Sequence, residues 1–382
     1  MSFDFKRRLA KLQENMAKQD LDLVVYGSCQ NFQYLTGLLF DWRHGIDLGS
    51  PANNVFVSRK GEPIVTVGEE WSKTASQGWI KDVRTLGEKD SLENLIKKTL
   101  SDLNVKAGRV GIGDHVWGST LTELDKALKK PVFLKAEHLL DRSRMIKDSG
   151  EIERLRKVAT LTDKAVQAVI PHIKKGVTQK ELRTEVEYQA KLLGASDVSF
   201  APWVGFVKSG SEKTKDPTSY PLDKGLESKT SIAFDVGFVL GGYCSDFGRS
   251  LYFGPAENKV KKGYEALQQS VVETVDKMRA GSVRVCDVFP AIEKTLDRLG
   301  YGNYLRARLP NKSVGHNIGV EVHEPPWLDP KNEDLLQTNM VIAVEPKLWN
   351  AGEYYFRVED IVLIGPKKAE FLTQFNRELF QL

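Results

Sequence analysis

The stretch FDVGFVLGGYCSDFGRS, residues 234–250, sets two aspartates, Asp235 and Asp246, eleven positions apart around the pair Gly241-Gly242. Two glycines between apolar runs are a hairpin signal, because glycine supplies the left-handed backbone that a tight turn needs. Folding the chain there brings the two aspartates nearly opposite one another on neighbouring strands. Asp235 stands among Ala233, Phe234 and Val236, where a lone carboxylate is costly to bury.

The arrangement recurs in VIAVEPKLWNAGEYYFRVEDIV, residues 341–362, where Glu345 and Glu359 are fourteen apart with Gly352 midway. A hairpin at that glycine sets two more carboxylates side by side in apolar strands. Between the two segments lies GHNIGVEVHEPP, residues 315–326, with His316 and His323. Four carboxylates so close cannot all stay ionised without a cation. Two divalent metals sharing bridging carboxylates would balance the charge, with Asp235, Asp246, His316, Glu345 and Glu359 as five ligands. Oxygen-rich ligation with one imidazole favours manganese first, with cobalt, iron or zinc behind it. Cys244, next but one to Asp246, reads as a small packing residue.

Outward from these motifs, the 382 residues suggest two domains. A net charge of +4, with basic and acidic residues interspersed, gives no footprint for nucleic acid and no polybasic patch for a membrane. No apolar run nears the roughly 18 residues of a membrane span, and MSFDFKRRLAKLQENM lacks a signal-peptide core. Three scattered cysteines form neither a disulfide framework nor a CxxC site. The expectation is a cytoplasmic protein.

Residues 1–145 read as a smaller α/β domain with a mixed sheet. Leu9, Leu12 and Met16 mark a helix face, and LDLVVYG, NFQYLTG, NNVFVS, EPIVTV and GRVGIG read as strands. It has neither a GxGxxG nor a P-loop, so no nucleotide site is expected. Residues 146–382 read as α+β: helices begin at Ser149 and after Thr178, two more are expected over 257–280 and 284–299, and long antiparallel strands carry the acids.

The second domain resembles the pita-bread metallohydrolases, a family that includes methionine aminopeptidase, aminopeptidase P, prolidase and creatinase. The five residues Asp235, Asp246, His316, Glu345 and Glu359 match its ligands in order and spacing. GYCSDFGRS is similar to its G-Y-x-S-D-x-x-R, GHNIGVEVHEPP to its G-H-x-I-G-x-x-V-H-E-x-P, and RVED to its R-I-E-D. The two-domain layout, with MIKDSGEIERLRKVA at the junction, is similar to the prolidase, aminopeptidase P and creatinase branch. The resemblance implies a pita-bread catalytic domain preceded by a creatinase-type N-terminal domain that caps the substrate and forms a homodimer. It implies a hydroxide bridging two metals as nucleophile, Glu345 as ligand and proton acceptor, and His323 as a substrate-side hydrogen-bonding group. Arg357 and Arg249 would orient carboxylates. Trp42 and Arg43, in YLTGLLFDWRHGIDLG, would line the substrate site, Arg43 binding a carboxylate.

The pattern also breaks. Peptidase relatives carry a histidine upstream of the first aspartate, whereas VKSGSEKTKDPTSYPLDKG, residues 207–225, has none; Tyr220 and Lys215 lie where a replacement would be sought. Glu345 is followed by Pro-Lys where relatives have Pro-Gly, and Gly248 stands where Thr is common. The leading expectation is a Xaa-Pro dipeptidase or aminopeptidase acting on a short peptide. The alternatives are a creatinase-like or lyase-type enzyme acting on a small non-peptide metabolite, and a metal-free peptide-binding module. All five ligands and His323 speak against the last.

Overall fold

Leu23–Gly27 (LVVYG) is a run of apolar residues with no polar alternation, and such a run is a strand covered on both faces. It is central in a six-stranded mixed sheet of the order Asp82–Leu86, Ile64–Gly68, Asn54–Ser58, Leu23–Gly27, Ala107–Ile112, Lys129–Lys135. Leu23–Gly27 runs antiparallel to Asn54–Ser58 and parallel to Ala107–Ile112. The computed structural model describes residues 3–40, 42–43, 50–214 and 216–382. Within these, the chain divides into two units that meet between Arg144 and Met145.

The first helix, Phe5–Lys18, is capped by Asp4 and buries Leu9, Leu12 and Met16 on one face. NFQYLTG, expected as a strand, is instead the helix Gln30–Thr36. All seven of its residues are buried, so there is no polar face from which a helical period could be read. Gly37, at φ +75°, ends it in the left-handed conformation that glycine adopts freely.

In the second unit, Ser149–Val169 begins at the expected residue, after an Asp148 cap whose capping box closes on Glu151. Gln179–Leu192 follows the Thr178 cap with the same device on Glu181. Asn258–Val275 and Val288–Arg298 occupy the two later helical stretches, and Gly302–Arg308 adds a short helix. The large sheet follows the path Glu324–Trp327, Gly315–Asn317, Val341–Val344, Tyr354–Ile364, Phe247–Phe253, Thr230–Val236, Trp203–Lys208. Its neighbours pair antiparallel throughout.

Period-two alternation gives this sheet two different faces. Val204, Phe206, Ile232, Phe234, Val236 and Leu251 pack into one apolar core with the first two helices of the unit. Tyr354, Phe356, Val358 and Val362 enter a second core with the later helices. The residues between them, Trp203, Asp235, Gly248, Arg357 and Glu359, share the opposite face. That division decides where the polar chemistry lies. No helix among the described residues is long and apolar enough to cross a membrane.

Candidate metal centre

The first acidic pair is close, but the two aspartates are not directly opposite one another. Phe247–Phe253 pairs with Thr230–Val236 so that Asp235 faces Gly248, not Asp246. The hairpin about Gly241-Gly242 is a separate small element, Phe238–Leu240 with Tyr243–Cys244, and Asp246 lies in the break after it. The register runs unshifted through that break, and Asp246, two residues before the partner of Asp235, still brings a carboxylate oxygen within 4.8 Å of one from Asp235. Both glycines are at positive φ, +58° and +84°, as the tight turn requires.

The second pair follows its expected register. Val344 pairs with Asp360 and Lys347 with Arg357, which sets Glu345 opposite Glu359 across an interruption at Pro346. Gly352, at φ +75°, lies in the turn. Here the strand sequence alone positions both carboxylates.

His316 arrives on the short strand Gly315–Asn317, whose partner at His316 is Ala343. Gly315 has φ +152°, and a Cβ there would stand 1.9 Å from the Ala343 carbonyl oxygen, so only glycine lets this strand approach. Nδ1 of His316 lies 3.1 Å from the Asn317 carbonyl, a contact that places the proton on Nδ1. In the neutral ring the Nε2 lone pair then faces Asp246 Oδ2 at 3.3 Å. One ligand atom each from Asp235, Asp246 and Glu359 lie within 4.8 Å of one another, and so do atoms of Asp246, His316 and His323.

Burial sets the electrostatics. It pushes the Asp246 carboxyl well above the usual range, and the neighbouring charge of Asp235 adds to the effect. Glu359 is likewise raised by burial, with Arg357 opposing and Asp246 reinforcing. Burial raises Asp235 too, against the pull of Arg357. Glu345 goes the other way. Burial would raise it, yet the ammonium of Lys347 and the guanidinium of Arg357 outweigh that and hold it at about 2.

Arg357 is the hub of these charges. Its guanidinium is ion-paired to Asp235, to Glu345 Oε2 at 2.9 Å and to Glu359 Oε2 at 2.6 Å. Arg249, read from the sequence as another orienting partner, projects from the helix-covered face and pairs with Asp360 at 2.7 Å. Strand alternation separates it from the acids that Arg357 holds. Two atoms at the centre, Asp246 Oδ1 and Glu359 Oε1, are buried with no hydrogen-bond partner among the described residues. Unpaired carboxylate oxygens at such depth are costly, and a cation bound between them removes the cost. The donor set therefore fits a hard divalent ion.

His323 stands at the rim with its ring centroid 4.5 Å from that of His316 and 5.4 Å from Trp327. Partial burial, then repulsion from His316, push its imidazole down to about 4. Lys347, to which the sequence alone assigns no role, reaches the Glu345 carboxylate with its ammonium. The signal was its place two residues from Glu345 in an extended segment, which puts both on one face. Trp203, the cross-strand partner of Asp235, was also missed. It packs edge-on against Tyr355 (5.9 Å, 83°), and Trp349 adjoins the same ring at 6.3 Å.

Of the other sequence candidates, Trp42 is buried in the first unit, where its indole Nε1 donates to Gln33 Oε1 at 3.1 Å. The Arg43 guanidinium lies 4.4 Å from the centre of the Trp42 ring. The hydroxyl of Tyr220 donates to the Gly225 carbonyl at 2.9 Å. Lys215 falls outside the described residues.

The sequence profile of metallopeptidase family M24 matches residues 153–366, the stretch that contains every one of these acids and both histidines. The chain belongs to metallopeptidase family M24. The profile of the creatinase/prolidase N-terminal domain matches residues 8–146. YkvY of Bacillus subtilis (strain 168), provisionally named a dipeptidase, is 29% identical over 92% of this chain and 93% of its own length. Among solved structures, a recombinant prolidase from Thermococcus sibiricus superposes with a TM-score of 0.83 at 26% identity, covering 100% of both chains. A Xaa-Pro dipeptidase from Bacillus anthracis gives 0.84 at 22% identity, covering 99% of this chain and 100% of that one, a likeness of fold. The M24 assignment makes the chain a metallohydrolase with a creatinase-type N-terminal domain and a pita-bread α+β domain.

Proposed function

We propose that this M24 protein cleaves the bond before proline in Xaa-Pro dipeptides or short peptides. Two divalent ions, manganese first, would be held by Asp235, Asp246, His316, Glu345 and Glu359. The observation that carries the reading is the meeting of these side chains around two buried, unpartnered carboxylate oxygens, Asp246 Oδ1 and Glu359 Oε1. The names of the prolidase and the Xaa-Pro dipeptidase with this fold support the substrate class.

When bound, the ions supply a water of lowered pKa and polarise the scissile carbonyl. The protein's own groups do the rest. Arg357 fans across Asp235, Glu345 and Glu359 and fixes their directions. His323, neutral at physiological pH, offers a ring N–H to the substrate's carbonyl oxygen. Glu345 takes the proton at Oε2, once that oxygen is free of the Lys347 ammonium. Trp203, Tyr355 and Trp349 give an apolar wall for a proline ring on the face that bears the acids. Residues 1–145 would serve substrate capping and homodimer formation in the cytoplasm, with Trp42 and Arg43 toward the substrate, and 146–382 the chemistry.

The test is release of proline from a panel of Xaa-Pro dipeptides by protein stripped with chelator and reloaded with Mn²⁺. Metal-dependent release supports the reading. One alternative has its own observation: no histidine occurs in 207–225, and a lysine stands against Glu345. Full metal occupancy with no proline release from any peptide would favour a creatinase-like or lyase-type reaction on a small metabolite.

A further inference from the structure

Four carboxylates meet at the centre, and two fixed cations already share them. Arg357 is one. Lys347 is the other, and its ammonium is set directly on Glu345 Oε2, the oxygen that Arg357 also holds. The contact is built into the fold. Lys347 faces Arg357 across the strand pair Lys347–Asn350 and Tyr354–Ile364, and its side chain is only 13% exposed. Leu348, the next residue, is locked in the helix-side core, so period-two alternation leaves Lys347 no other face. Gly248 contributes from the adjacent strand: a Cβ there would lie 2.5 Å from Arg357 Nε, so the absent side chain admits the guanidinium over the acids.

The ligand groups are unequal as a result. Asp235, Asp246 and Glu359 gather within 4.8 Å, and Asp246, His316 and His323 do the same, but Glu345 is in neither group. It is turned to the two cations instead. We propose that Lys347 is a built-in counter-ion of Glu345, which makes the two metal positions unequal. It weakens the one that draws on His316 and Glu345 more than the one built on Asp235, Asp246 and Glu359, where its charge acts on Asp235 through space. The inference rests on the metal reading above. Its physical content is that a cation must displace an ammonium from Glu345 and then remain beside it, where like charges repel.

The experiment is calorimetric titration of Mn²⁺ into the full chain after chelator treatment, comparing the wild type with Lys347→Met and Lys347→Arg. Lys347→Met keeps the aliphatic stem and removes the charge; Lys347→Arg keeps the charge. A melting curve for each variant establishes that it is folded, and Lys347→Gly serves if Lys347→Met is not. The expected result is a wild type with one tight ion and a second bound at least tenfold more weakly. In Lys347→Met the second phase tightens at least tenfold, while Lys347→Arg follows the wild type. Superimposable isotherms for wild type and Lys347→Met overturn the inference and leave the metal reading intact. No binding to any form overturns the metal reading itself, and the inference with it.

Discussion

The Nζ of Lys147 and Oε2 of Glu324, 177 residues apart in sequence, meet at 3.1 Å with both side chains withdrawn from solvent. Lys147 immediately precedes the cap of the first helix in the catalytic domain, and Glu324 follows His323. Glu324 also accepts from the Asn317 side chain at 3.4 Å and from the Glu321 backbone at 3.2 Å, so it ties together the loop that carries both histidines. Gly319 leaves room for that carboxylate: a Cβ there would be 2.7 Å from Glu324 Oε2. Removing one partner of a buried pair strands the other charge. Lys147→Met should cost about 3–5 kcal/mol of stability, and adding Glu324→Gln should recover part of it. Denaturant midpoints of the two variants check this, and an unchanged midpoint for Lys147→Met contradicts it.

Asp163 gives a pH dependence away from the metal centre. Burial raises its carboxyl to about 6, against a hydrogen bond from the Gln374 backbone at 2.6 Å. The folded state therefore keeps a proton that the unfolded chain releases near its ordinary value of 3.8. Stability from this group is present below about pH 4 and lost as pH rises through about 6. Asp163→Asn should be neutral at pH 4 and stabilising by up to about 2 kcal/mol at pH 8. Melting temperatures at the two pH values decide it, and a gain at pH 4 equal to that at pH 8 contradicts the account.

Metal loading should release protons. Burial and mutual repulsion hold the Asp246 and Glu359 carboxyls well above the usual range, and a bound cation requires them ionised. Titration of Mn²⁺ at pH 7 in buffers of different ionisation enthalpy should give different apparent heats, equivalent to about one proton per chain. Equal heats in all buffers would show that both groups are already ionised in the free protein.

Gly315 is the third point of attack. Its φ of +152° and the 1.9 Å approach of a virtual Cβ to the Ala343 carbonyl leave no space for a side chain. Gly315→Ala should destabilise the protein by about 2–3 kcal/mol and weaken metal binding, because the strand that carries His316 must shift. A variant with wild-type stability and metal affinity would refute this.

The sequence carried the acid-bearing hairpins because their logic is local. Glycines at turn positions and carboxylates in apolar strands leave a mark in a few dozen residues, and Glu345 opposite Glu359 follows from spacing alone. Asp235 and Asp246 are neighbours but not directly opposite, because one continuous register about the Gly241-Gly242 turn pairs Asp235 with Gly248 and leaves Asp246 two residues short of it. Gln30–Thr36 was read as a strand because a fully buried helix has no polar face to betray its period. The separation of Arg249 from Arg357 depends on which face each strand turns to the helices, and that is a tertiary property. Lys347 was visible as a departure, but its contact with Glu345 needed the register of a strand pair to give it meaning.

The most direct test of the account is metal content per chain. It would be measured by elemental analysis on protein purified without chelator and reloaded with manganese or cobalt, beside Asp246→Asn. Asp246 belongs to both ligand groups, so its loss should abolish binding at each. The account predicts up to two ions per chain at saturating metal, and fewer than half that number in Asp246→Asn. No metal above background in the wild type, or equal occupancy in the variant, would contradict it.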